Sequence, residues 1–329
     1  MCKNYLLLML ILFLFSCKND QKENKRSIND PALSKYFDLI SLSPNNDTLY
    51  YERAIYLYHQ NNYTGSIQDL QKAIMLNPNV SVYYNLLSDA YFDIDAFGES
   101  VEALKKLVAF HPEDIALLLK LSEVQWIGED YIGAASTIDE IFKQNTSESE
   151  AYYMNGLIKL SLNDTLASLA SFNKTILFDP KNMEAFLMAA HIYEDKGDPL
   201  ALEYYDKALL IDPDNIDAKN AKAFYLMGIG KLKEALVLYK QVIVKDKYNE
   251  ECFLNTGIIY LQLDSLQKAL NHFDILINIA PDNGVGYYYR GITYKLLGLT
   301  EMAIENFKQA LVFQPGWDEP ELELNQMVN

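Results

Sequence analysis

The chain has 329 residues, 50% of them hydrophobic, and a formal charge of -17 from 45 acidic against 28 basic side chains. A chain of this size buries a sizeable apolar surface, and its acidic balance makes nucleic acid a poor partner. Cys2, Cys17 and Cys252 are too few and too scattered for a disulfide framework, so stability has to come from packing.

In chain order, residues 1–16 read as a secretory signal, with Lys3 as the positive end, an apolar run from Leu6 to Phe15, and the small Ser16 before Cys17. That run is about half of the roughly 20 residues a helix needs to cross a bilayer. Leu14-Phe15-Ser16-Cys17 resembles the lipobox of bacterial lipoproteins. The resemblance implies cleavage before Cys17, acylation of Cys17, and a lipid-anchored place in the cell envelope. Lys18 after the cysteine implies the outer membrane, with the periplasmic or surface side left open. The other reading of the stretch is an uncleaved export signal or an apolar start without targeting meaning. Residues 17–30, polar and without apolar periodicity, form the acylated cysteine and a flexible tether.

Beyond the tether, Pro44, Pro78, Pro112, Pro180, Pro213, Pro281 and Pro315 are separated by 34, 34, 68, 33, 68 and 34 residues, with Thr146 and Lys247 standing where the long gaps skip a proline. A fixed period of this kind marks a repeat array. Twelve residues before each break stands a small residue: Ser66, Ser100, Ala134, Ser168, Ala201, Ala235, Ala269 and Ala303. Four residues later comes a large one: Leu70, Leu104, Ile138, Phe172, Tyr205, Tyr239, Phe273 and Phe307. Apolar residues recur at helical spacing in two segments per unit, joined by short turns such as Gly228-Ile229-Gly230, so each unit is predicted to be a helix hairpin. Small side chains let the two helices approach, and the bulky residue one turn later fills the gap toward the next hairpin. One hairpin cannot bury its own apolar face, so neighbours must stack.

Tyr287, Arg290, Gly291, Tyr294, Gly298, Ala303, Phe307, Ala310 and Pro315, and one unit earlier Phe253, Gly257, Tyr260, Ala269, Phe273 and Pro281, resemble the tetratricopeptide repeat (TPR). The resemblance implies an all-α, right-handed superhelical solenoid of about eight hairpins, at residues 47–80, 81–114, 115–148, 149–182, 183–215, 216–249, 250–283 and 284–317. Residues 31–46 and 318–329 are then capping helices at the two ends. Gln125, where an aromatic is usual, and the unit shortened around Asp198-Pro199 predict weaker or bent stacking.

First helices line the concave groove in this family. The resemblance therefore places Tyr58, Phe92 and Trp126 in a row at steps of 34 residues, beside Tyr51, Asn85 and Tyr153, with Asp89 and Glu123 near them and His191, Asn220, Phe224 and Tyr288 further along. Rings with scattered polar groups suit a peptide or helix of a partner protein, although the same rings also fit packing between adjacent repeats. Asp89, Asp93 and Glu123 fit either a basic partner segment or a solvated acidic face. Tyr51, Ile55, Asn85 and Asp89 do not reproduce the lysine and asparagine with which some family members clamp a C-terminal carboxylate.

His59, His111, His191 and His272 are too scattered for a metal site, no glycine loop suits a phosphate, and no Ser-His-acid set is positioned by the repeat, so neither catalysis, cofactor nor small-molecule substrate is expected. The expected function is a membrane-anchored scaffold that binds other proteins in an envelope assembly or secretion complex. The alternative is a surface lipoprotein that takes a glycan or other nutrient, with Trp126 as the expected sugar contact.

Overall fold

The computed structural model describes residues 30–328; Cys17, the apolar run before it and most of the tether lie outside the described residues. Among the described residues the fold is entirely helical, and it divides into two compact units, residues 30–163 and residues 164–328.

The first unit opens with α1 (Pro31–Leu42), followed by α2 (Asp47–His59), α3 (Tyr63–Leu76), α4 (Ser81–Phe92), α5 (Phe97–Phe110), α6 (Ile115–Ile127), α7 (Tyr131–Gln144) and α8 (Ser149–Ser161). The pairs α2/α3, α4/α5 and α6/α7 are antiparallel hairpins, and each second helix packs on the next first helix, ending with α7 on α8. The second unit contains α9 (Thr165–Phe178), α10 (Met183–Asp195), α11 (Leu200–Ile211), α12 (Ile216–Gly228), α13 (Leu232–Lys245), α14 (Glu250–Gln262), α15 (Leu266–Ile279), α16 (Gly284–Leu296), α17 (Thr300–Phe313) and α18 (Asp318–Val328). Here the hairpins are α10/α11, α12/α13, α14/α15 and α16/α17.

Short polar side chains start the helices. Asp114, Asn182, Asn215, Asn249 and Asn283 each accept a hydrogen bond from a first-turn backbone N–H, at 2.8 to 3.2 Å. Such caps are worth about 1 kcal/mol each. The turn into the next unit is pinned by a tyrosine six residues on: Tyr50, Tyr84 and Tyr152 donate to the carbonyls of Pro44, Pro78 and Thr146. The Tyr152 bond, with the Ser147 N–H donating to Asn145, preserves the turn at Thr146 without a proline.

Within each hairpin of the two units the chain reverses through one residue at φ of 53 to 78°: Asn61, Asp95, Glu129, Gly197, Gly230, Asp264 and Gly298. Asn and Asp tolerate this left-handed conformation, whereas glutamate does so at a steric cost of roughly 1–2 kcal/mol. Gly298→Ala, which meets open space, should therefore lower stability by about 1 kcal/mol and Glu129→Gly should raise it by a similar amount. Urea midpoints that move in the same direction for both would refute this account of the turn.

All eight small residues and all eight large residues of the repeat frame are inaccessible to solvent. Inside the units these residues meet a small residue on the first helix at Ala54, Ser88, Ala190, Ala223, Gly257 and Gly291. Gly257 shows why: a Cβ there would stand 2.4 Å from the Phe273 ring, far inside contact distance. Leu70, with its smaller side chain, leaves room for the Ala54 methyl in the equivalent place.

At the two departures α7 meets α8, and α11 meets α12, more sparsely than α3 meets α4 or α5 meets α6, in line with the weaker stacking expected there, while packing inside the hairpins is kept. Gln125 is buried and accepts a hydrogen bond of 2.7 Å from the Thr137 hydroxyl, so an amide–hydroxyl pair replaces the usual ring. The shortened unit loses its residue from the first turn of α11, where Asp198 caps the Leu200 N–H, while Ala201 and Tyr205 keep their places in the core.

At the ends, α1 lays the buried Leu33 against α2, and the Arg53 guanidinium reaches from α2 over the Phe37 ring, 4.6 Å from its centroid. The same guanidinium holds Asp69 of α3 through two hydrogen bonds of 2.6 Å. α18 packs on α17, buries Pro320, and ties Glu323 to Lys295 of α16.

Candidate functional site

The first helices of the first unit carry Tyr51, Tyr58, Asn85, Asp89, Phe92, Glu123, Trp126 and Tyr153. Asn85, Phe92 and Glu123 are exposed; the other five are half-buried. Each ring of the row rests on the aromatic residue that opens its own hairpin's second helix. Tyr58 meets Tyr63 edge-on at 5.4 Å, Phe92 meets Phe97 at 5.6 Å, and Trp126 shares a cluster with Tyr131. The Trp126 indole N–H donates to the Ser161 hydroxyl at 2.8 Å, and Tyr51 stacks on Tyr83 at 4.9 Å. Part of each ring therefore serves packing, and Phe92, 36% exposed, offers the most free surface of the three.

Charge on this face is partly answered from within. Lys120 of α6 donates to Asp89 at 2.6 Å and to Asn85 at 3.1 Å, so neither stands as a free acceptor for a basic segment. Burial, followed by a hydrogen bond to Asp93, raises the Tyr58 pKa, and burial together with Asp47 pushes Tyr83 up to about 12. Both hydroxyls stay protonated at neutral pH. Glu123 is the exposed acid beside Trp126.

In the second unit, His191 of α10 is exposed and its Nδ1 lies 2.9 Å from the Tyr205 hydroxyl, which donates to Glu194 at 2.6 Å. Since that hydroxyl spends its proton on Glu194, the Nδ1–H is the donor to it. Asn220 of α12 donates to Glu251 at 2.8 Å and accepts the Cys252 thiol at 3.2 Å. Burial pushes that thiol up to about 12, so it is no nucleophile at neutral pH. Phe224 is half-buried, and Tyr288 packs on Trp317 at 4.8 Å next to α18.

Lys120 and Glu251, which the sequence pattern does not single out, thus belong to the same faces. Both partner residues about one repeat away, which spacing alone does not reveal. Among the described residues no group of three or more His, Cys, Asp or Glu could hold a metal ion, and no helix is long and apolar enough to cross a membrane.

Residues 48–80 and residues 184–215 each match a family profile described as tetratricopeptide repeat. A TPR repeat-containing protein of Methanocaldococcus jannaschii is 23% identical over 267 residues, covering 74% of this chain and 46% of its own length, so this chain spans less than half of that relative. Among solved structures, a chain of the APC/C hetero-tetramer Cut9–Hcn1 superposes with a TM-score of 0.53 at 13% identity, covering 91% of this chain and 60% of that one. YrrB, a TPR protein with an unusual peptide-binding site, superposes with a TM-score of 0.50 at 21% identity, covering 57% of this chain and 97% of its own. The hairpins described above are thus of the tetratricopeptide type, and the chain carries tetratricopeptide repeats at residues 48–80 and 184–215.

Proposed function

We propose that this chain is a protein-interaction scaffold that takes a peptide or helical segment of a partner protein on the first-helix face of its repeats. The observation that carries this reading is the face of the first unit, where Phe92, Asn85 and Glu123 are exposed beside the half-buried Tyr58 and Trp126. Partly exposed rings fixed by their own packing lose little entropy on contact, and polar groups between them orient a bound backbone. The peptide-binding description of YrrB supports the same reading. The exposed acid favours a segment with an apolar residue for Phe92 and a basic one for Glu123.

The scaffold acts without catalysis, without a cofactor and without a small-molecule substrate. It is held in the cell envelope by an acyl chain on Cys17, at the outer membrane, in an assembly or secretion complex. The apolar run before Cys17 and the polar stretch after it support the anchor. A sugar platform at Trp126 has less support, since its indole N–H is committed to Ser161.

Two arms test this. Peptides selected on the full chain from a displayed library should bind Phe92→Ala or Glu123→Lys roughly tenfold more weakly, the loss of one anchoring contact of about 1.4 kcal/mol. Fatty-acid labelling in a bacterial host should vanish with Cys17→Ala. Unchanged peptide affinity in both face variants refutes the binding surface, and persistent labelling refutes the anchor.

A further inference from the structure

A different surface carries a second ligand site. The turn that joins α11 to α12, the start of α12 and the C-terminal half of α13 border a shallow, open surface of about 450 Å³, lined by Asp214, Lys219, Lys240, Gln241, Val244 and Lys245. In a chain with a formal charge of -17, this surface is lined by three lysines and a single carboxylate, and two of the lysines, Lys219 and Lys245, pair with it.

Lys219 is the unusual member. Only 8% of its side chain is exposed, and its ion-pair partner Asp214 stands 3.6 Å from Nζ, a looser pair than the 2.8 Å one that Lys245 makes with the same carboxylate. It lies in the first turn of α12, where a cation meets the positive end of the helix dipole. A lysine this buried normally has a closer partner than this 3.6 Å pair. Lys245 is the closer grip on Asp214, at 2.8 Å, and also reaches the Asp214 carbonyl at 3.3 Å. Asp214 itself is 75% exposed and held below the usual carboxylate range, first by Lys245 and then by Lys219. Lys240 is exposed and pairs with no acid among the described residues.

We propose that this surface is a phosphate-binding site in which Lys219, Lys240 and Lys245 hold a dianionic phosphate group and Asp214 competes with it for the lysines. Three positive charges against one negative leave a surplus that matches a phosphate near neutral pH, whose second pKa is about 6. Lysine serves such a tetrahedral, doubly charged group as a point charge. The Gln241 amide adds a neutral donor, and the exposed Val244 adds an apolar edge for the group that carries the phosphate. The proposal stands apart from the first-helix face and does not depend on it.

Titration calorimetry of inorganic phosphate into the unacylated full-length chain at low ionic strength reads the site directly. Lys240→Met, a change at an exposed position, should weaken phosphate roughly tenfold, as loss of one charge-assisted contact does. Asp214→Asn should tighten it, because the internal competitor is gone, and this gain distinguishes the site from nonspecific charge. Lys219→Met should abolish binding with the helical circular dichroism retained; if that variant unfolds, the other two decide. Sedimentation with phosphatidylcholine vesicles, with or without phosphatidate, then assigns the source: recovery only with phosphatidate places the phosphate on a lipid headgroup, and no recovery assigns a soluble ester. The absence of saturable phosphate binding to the intact chain, or equal affinities for intact, Lys240→Met and Asp214→Asn chains, overturns the proposal.

Discussion

Replacing Phe273 with alanine is expected to lower the stability of the second unit by about 3–5 kcal/mol, the range for losing a fully buried aromatic side chain. The Phe273 ring is inaccessible, stacks on Tyr289 at 6.0 Å, and shares a cluster with Tyr239, Tyr260 and Ala269. It serves two neighbours at once, closing its own hairpin over Gly257 and receiving α16. In an array stabilised by nearest-neighbour interfaces, one such loss weakens both junctions. The glycine gives an internal check. Gly257→Ala alone should cost on the order of 1–3 kcal/mol by overpacking against a ring that cannot move out. In the Phe273→Ala background the same change should be close to neutral, because the obstructing atoms are gone. Urea denaturation of the four chains of this cycle measures the coupling directly. Strictly additive losses would mean that ring and glycine do not meet as described.

The second large effect belongs to the first unit. Arg53→Ala should cost about 3 kcal/mol or more, because it strands the Asp69 carboxylate in the hairpin interior. Side-chain exposures of 13% and 8% make this a buried pair, and its two bonds of 2.6 Å are the bidentate kind. The loss also removes the guanidinium from the Phe37 ring, loosening α1. Arg53→Met combined with Asp69→Leu should recover most of the stability, since apolar residues of similar volume often replace a buried ion pair without loss. Thermal unfolding in which the double variant is as damaged as Arg53→Ala would show that the pair contributes through something other than mutual charge compensation.

Much of this architecture was legible in the spacing of residues. The proline period, the small residue twelve before each break and the large one four after it mark positions that are all inaccessible in the fold. They are legible because a hairpin stack repeats one packing problem, and volume at a fixed place is a property of residue type. The turn residues follow the same logic less visibly: Asn, Asp and Gly recur at the left-handed position, while Glu129 hides one instance. The face was harder to read. That Tyr58, Phe92 and Trp126 lie on first helices follows from register, but how much of each ring a neighbour covers depends on further residues, such as Tyr63, Phe97 and Ser161, whose contacts spacing alone does not reveal. Long charged side chains escape the pattern most. Lys120 quenching Asp89, and the buried Lys219 with only a loose hold on Asp214, depend on where a flexible stem ends, not on where its Cα sits.

The most direct test of the scaffold reading places a photoreactive phenylalanine analogue at one position at a time, at Phe92 on the first-helix face and at Ile132, an exposed residue of the second helix α7. Each chain is irradiated with a peptide selected on the intact protein. The account predicts a covalent adduct from position 92 and none from position 132. An adduct from position 132 alone would contradict it and move the binding surface to the second helices.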